Sequence, residues 1–128
     1  MFESLSLFAT ANAMARHAAQ RQTLIARNMA NSDTPGYQAS DLPSFESLIQ
    51  PAGDSAAMRA SRPGHLDFRD TTLRADPVPR DSAMEPNGNT VSIEEEMVHS
   101  VAATRQHELA LAIYRSGLTV LRTSLGRG

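Results

Sequence analysis

Helix-breaking residues are absent from the first 34 positions of the chain and crowd the 54 that follow. The change falls in one stretch, Asn28-Met29-Ala30-Asn31-Ser32-Asp33-Thr34-Pro35-Gly36-Tyr37. Pro35 has no N–H and disfavours helix at Thr34 before it. Gly36 admits backbone angles that other residues avoid, so Pro35-Gly36 reads as the centre of a type II turn. Asn28, Asn31, Ser32, Asp33 and Thr34 can all bond nearby backbone groups, which suits a helix end and a tight loop. Tyr37 adds a ring with a polar tip.

Upstream of this stop, Phe8, Ala11, Ala15, Ala18, Gln22, Ile25 and Met29 recur at alternating spacings of three and four. That stripe predicts a helix over 3–32, roughly 40 Å long, buried along one seam. Its alanines allow a partner helix to approach closely. Residues 38–90 hold six of the seven prolines and show weak hydrophobic periodicity. Phe45, Leu48 and Ile49 predict a short amphipathic turn of helix, and Phe68–Leu73 a short extended piece. Met58, Leu66, Phe68, Leu73 and Val78 are isolated apolar anchors.

A second long helix is predicted over 91–126. Ser92 and Glu95 fit a capping box, and Glu94, Glu95 and Glu96 suit the positive end of the helix dipole. This acidic run reads as a solvated helix start. Met97, Val101, Thr104, Glu108 and Leu111 form one line, and Leu111, Tyr114, Leu118, Leu121 and Leu125 continue it after a one-residue slip. Leu109, Ile113 and Val120 lie off that line. One stripe is expected to pair with the first helix, leaving surplus apolar surface for another partner. Gly117 weakens the helix by roughly 1 kcal/mol against Ala but permits close approach of a neighbour.

The fold class expected is therefore all-α. Two long terminal helices pair as an antiparallel coiled coil, joined by an irregular middle segment with at most short helical or extended pieces. With 128 residues there is room for one domain. A net charge of −2 gives no argument for nucleic acid. All twelve basic residues are Arg, and the absence of Cys excludes disulfides and thiolate metal sites. No segment reaches the roughly 18 apolar residues needed to span a bilayer. The first residues lack the basic and apolar regions of a Sec-type signal peptide.

The search for chemistry yields little. His65, Asp67 and Asp70 form the best metal-like cluster but lack a further ligand at suitable spacing. His99 and His107 lie roughly 12 Å apart along one helix and cannot share an ion within it. His17 is expected at an exposed or seam-edge position. No phosphate loop, nucleophile elbow or HExxH pattern occurs. The expectation is a non-enzyme with no catalytic, cofactor or metal site.

Ala26–Tyr37 resembles the N-terminal signature of bacterial flagellar rod, hook and hook-associated proteins, approximately ANNxANxxTPGY. Ser61-Arg62-Pro63-Gly64-His65-Leu66 resembles the middle motif of the proximal rod subunits, and Asn87–Met97 looks like the start of their C-terminal helix. The resemblance covers the whole chain, in order, and points to the proximal rod proteins of the flagellar basal body. It implies a structural subunit, 1–128 as one domain, in an axial shaft that crosses the periplasm and carries torque from motor to hook. It implies terminal helices packed in the core of a helical tube. Export would run through the flagellar type III apparatus without a cleaved signal. Implied partners are further copies of the chain, other proximal rod subunits, the rod-base adaptor, membrane-ring proteins and the export gate. Neither nucleic acid nor a small-molecule substrate is implied. Asn28, Asn31, Thr34, Pro35, Gly36 and Tyr37 would form the assembly motif. Several family members have Lys after the tyrosine, where this chain has Gln38. A cytoplasmic helical adaptor or export chaperone of the flagellar secretion system is the alternative reading.

Overall fold

A computed structural model describes residues 2–49 and 75–126. In chain order the elements are α1 (Phe2–Ala30), β1 (Ser40–Asp41), α2 (Phe45–Ile49), β2 (Val78–Pro79) and α3 (Ile93–Leu125). The expected extended piece at Phe68–Leu73, the Ser61–Leu66 motif and the cluster of His65, Asp67 and Asp70 lie outside the described residues.

The stop of α1 and the start of α3 are both written in local hydrogen bonds. α1 tightens at its end: Asn31 N–H donates to Asn28 O at 2.9 Å, and Ser32 N–H to Met29 O. The Asn31 side chain donates to Arg27 O at 2.8 Å, which satisfies one of the carbonyls a helix end leaves unpaired. α3 begins at the N-cap Ser92, whose hydroxyl accepts from Glu95 N–H. The Ser92 hydroxyl itself donates to Glu94 rather than Glu95.

The two long helices pack side by side and antiparallel. Phe8 of α1 meets Tyr114 of α3 edge to face with ring centres 5.1 Å apart. About four turns on, Gln22 donates to Ser100 at 2.9 Å, and near the end of α1 Asn28 donates to Glu96. The buried seam repeats every seven residues on both helices: Ala11, Ala18 and Ile25 face Ala110, Ala103 and Glu96. Small side chains bring the backbones close but bury little apolar area per turn, so the seam is thin.

On α1 the stripe is where the periodicity put it, except that Gln22 is exposed. On α3 the face turned to α1 differs from the predicted line. Met97, Val101, Leu111, Tyr114 and Leu125 are all exposed, Val101 at 61%. The seam runs instead through Glu96, Ala103 and Ala110, with Leu118 and Leu121 half-buried further on. Gly117 lies where a Cβ would come within 3.0 Å of the Phe8 ring, so the neighbour that its small size admits is Phe8 of the same chain.

The middle segment packs a second small core against α1. β1 and β2 form a two-residue antiparallel ribbon, with Ser40 opposite Pro79 and Asp41 opposite Val78. Ala39, Leu42, Phe45, Ala75 and Val91 are buried there. His17 belongs to this core and is 3% exposed, contrary to the exposed or seam-edge position expected. Its Nε2–H donates to Pro43 O at 2.8 Å, since a carbonyl can only accept, and its ring tilts against Phe45.

Candidate functional site

The stretch that ends α1 docks onto the stretch that precedes α3. Tyr37 N–H donates to Thr34 O, and Gly36 has φ +71, as the third residue of a type II turn requires. A second turn at Glu85–Gly88 has Gly88 at φ +81. The two glycines abut: a Cβ on Gly88 would lie 3.4 Å from Gly36 Cα. Gly36 N–H donates to Asn87 O at 3.0 Å, Thr90 N–H to Tyr37 O at 3.1 Å, and Ala39 N–H to the Thr90 hydroxyl at 2.8 Å.

Two buried carboxamides hold this joint. The Asn89 amide nitrogen donates to the carbonyls of Asn31, Ser32 and Thr34 at 2.8–3.0 Å, and its oxygen accepts Val91 N–H. One side chain thus gathers the carbonyls of the whole turn. Asn28 does the same for the strand that follows. Its amide nitrogen donates to Ser40 O and Glu96, and its oxygen accepts from the Tyr37 hydroxyl and Ser40 N–H. These four bonds use every donor and acceptor position of a primary amide. Thr34 completes the turn, its hydroxyl donating to the Asn31 side-chain oxygen at 3.3 Å.

Beside the joint runs a chain of alternating charges. Arg21 grips Asp41 with two bonds of 2.8–2.9 Å. Arg80, just past β2, bridges Asp41 at 3.1 Å and Glu96 on α3. Glu96 is completely buried, so the reading of Glu94–Glu96 as a solvated helix start fails at its third residue. Arg21 also lies 3.4 Å from His99 Nδ1. Burial opposes the charge on Asp41, but hydrogen bonds from Arg21 and Leu42 N–H, with Arg80 alongside, outweigh it. They hold the carboxyl below the usual carboxylate range. The Asp41 bond in turn makes Arg21 harder to deprotonate, against the cost of its own burial.

The structure thus brings together Asn28, Asn31, Thr34, Gly36 and Tyr37 of the predicted motif, with Pro35 exposed at the turn's tip. Of the packing residues, Phe8, Ala11, Ala15, Ala18, Ile25 and Met29 face α3 or the half-buried seam edge. Arg21, Asp41, Arg80, Glu96 and Asn89 are the members that sequence reasoning missed. Asn89 carried a signal, since Asn87-Gly88-Asn89 reads as a turn, but nothing local reveals that it holds a turn 55 residues upstream.

Nothing in this arrangement exposes a nucleophile or poises an acid and a base around a cleft. Among the described residues there is no group of His, Asp and Glu suited to hold a metal ion, and no helix is long and apolar enough to cross a membrane. The chemistry available is mechanical: the site fixes the angle and register at which two segments leave a pair of long helices.

No family model matches the chain. Two curated proteins do. A flagellar basal body rod protein FlgB of Agrobacterium fabrum is 30% identical over 118 residues, covering 89% of this chain and 88% of its own length. A flagellar basal body rod protein FlgB of Bacillus subtilis is 34% identical over 87 residues, covering 67% of this chain and 66% of its own. With a match of that extent, and a buried joint built from the signature stretch, the chain belongs to the FlgB family of flagellar basal body rod proteins.

Proposed function

We propose that the chain is a structural subunit of the proximal rod of the flagellar basal body, a single 1–128 domain that helps carry torque from motor to hook, and is not an enzyme. The observation that carries this reading is the apolar surface that α3 leaves exposed. Val98, Val101, Leu109 and Val120 are each more than half exposed there, with Ala102, Ala112 and Ser116 between them. None of them belongs to the Glu96–Ala103–Ala110 seam, so the helix carries apolar surface beyond what it spends on α1. Exposed apolar surface of this extent on so small a chain marks a contact with another protein. Neighbouring rod subunits, copies of this chain among them, would cover it, and α1 and α3 would serve as a coiled-coil element of the axial core. Met97, Leu111 and Leu125 then belong to contacts between subunits.

The joint between 28–41 and 78–96 would set the direction in which the middle segment leaves that core. It would present this segment to the rod-base adaptor, the membrane ring or other rod subunits. Passage through the flagellar type III export gate agrees with a joint that no covalent cross-link holds and that can reform after unfolding. Neither relative's name favours the adaptor or chaperone alternative. Electron microscopy of basal bodies from cells lacking this chain tests the reading. Rods should be missing or stop short, and complete rods would overturn it.

A further inference from the structure

We propose that Asn87 is a modification site, prone to succinimide formation and deamidation, whose reactivity is gated by docking of the Thr34–Tyr37 turn. Asparagine is among the chemically labile side chains. The reaction needs the backbone nitrogen of the next residue to reach the asparagine Cγ, and it is least hindered when that residue is glycine, which has no Cβ. Asn87-Gly88 is the only Asn-Gly pair in the chain. Asn87 is exposed, so water reaches it, and conformation rather than access controls the chemistry.

In the step itself the Gly88 nitrogen loses its proton and bonds to Asn87 Cγ, and the side-chain nitrogen leaves as ammonia. Water then opens the five-membered ring at either carbonyl to leave Asp or isoaspartate. No reactant besides water is needed.

Three contacts oppose this in the docked state. Gly88 N–H is committed to Glu85 O at 2.8 Å, which disfavours loss of its proton. Asn87 Oδ1 accepts Asn89 N–H at 2.9 Å, which fixes the carboxamide. Asn87 O accepts Gly36 N–H at 3.0 Å while Gly88 lies against Gly36, so the peptide between Asn87 and Gly88 cannot swing. Lifting the Thr34–Tyr37 turn removes the last of these and leaves the two bonds within 85–89 without the turn packed against them. Isoaspartate would carry an extra methylene in the backbone and could not restore both the Gly36 and Asn89 bonds. The modification therefore records time spent undocked and makes undocking permanent. It stands on the geometry of the two turns and does not depend on the function proposed above.

The test follows the one-dalton gain at Asn87 in the full chain by peptide mass spectrometry, in buffer at neutral pH and in concentrated urea. Reaction through an open state slows in proportion to how rarely that state is visited, so conversion should be at least about tenfold slower in buffer. Asn89→Ala, which releases three turn carbonyls, should speed conversion in buffer while circular dichroism shows both helices intact. Should that variant lose its helices, Pro35→Ala makes the same test. Asn87→Gln should abolish the signal. Equal rates in buffer and urea, another asparagine reacting first in urea, or a loosened-turn variant as slow as the parent would each overturn the proposal.

Discussion

Asn89 does at one position what a run of backbone pairing does elsewhere. Its amide nitrogen serves the three carbonyls of Asn31, Ser32 and Thr34 from a fully buried position. Asn89→Asp keeps the shape but turns a donor into an acceptor facing three other acceptors. It should cost about 2–4 kcal/mol, since several buried carbonyls lose their partner together, seen as a lower urea midpoint with unchanged slope. Asp41 offers a different readout. Its folded pKa lies below the ordinary value, so its stabilisation is complete above the unfolded pKa of about 3.9 and is lost as pH falls through the lower folded value. The stability difference between parent and Asp41→Asn should therefore be constant from neutral pH to about pH 5 and shrink steadily below about pH 4. These roles were not legible locally. The Asn28–Tyr37 stretch announces a helix end and a turn through Pro35, Gly36 and its short polar side chains. Which distant groups complete the turn depends on segments more than 50 residues away. Glu96 shows the same limit: three glutamates in a row read as solvated, and only Arg80 and Asn28 closing over the third make its burial tolerable.

At the scale of elements, the ribbon of β1 and β2 is far too short to be stable alone. It is pinned by Arg80, which joins Asp41 at the end of β1 to Glu96 in α3. Arg80→Met should destabilise by about 3–5 kcal/mol because it strands a buried carboxylate. Adding Glu96→Gln should recover much of that loss, whereas a mere packing role for Arg80 would show no such rescue. The contact of α1 with α3 has its own narrow point at Gly117, where Phe8 lies flush and Tyr114 holds its ring from the side. Gly117→Leu should cost about 1–3 kcal/mol through overpacking, despite the better helix propensity of leucine, and thermal unfolding followed at 222 nm reads it out. The stripe on α1 was legible because only one side of that helix is apolar. On α3 valine and leucine occur on several sides, so periodicity had no single face to select. The seam then went to the smallest residues, Ala103, Ala110 and Gly117, which let the backbones approach.

At the scale of the whole molecule, much of the apolar surface of α3 remains outside the fold. Replacing Val101 and Leu109 together by Glu should leave the far-ultraviolet circular dichroism of the purified chain unchanged, since both side chains are more than half exposed. The same change should abolish spreading in soft agar, because burying two unpaired carboxylates at a subunit contact costs several kcal/mol. Loss of helix in the purified variant would show instead that the face is internal. What the sequence by itself determined was the plan of the molecule: where helix must stop, that two long helices flank a proline-rich middle, and the family signature at the joint. Those follow from local rules, since backbone preference, capping and periodicity are written within a few residues of where they act. Tertiary structure alone decided which side of α3 meets α1, that His17 and Glu96 are buried, and that Asn89 and Arg80 lock the joint. Each of these is a choice between partners distant in the chain. It is settled by close approach of small residues and by the need to give buried polar side chains partners, and neither leaves a local mark in the order of amino acids.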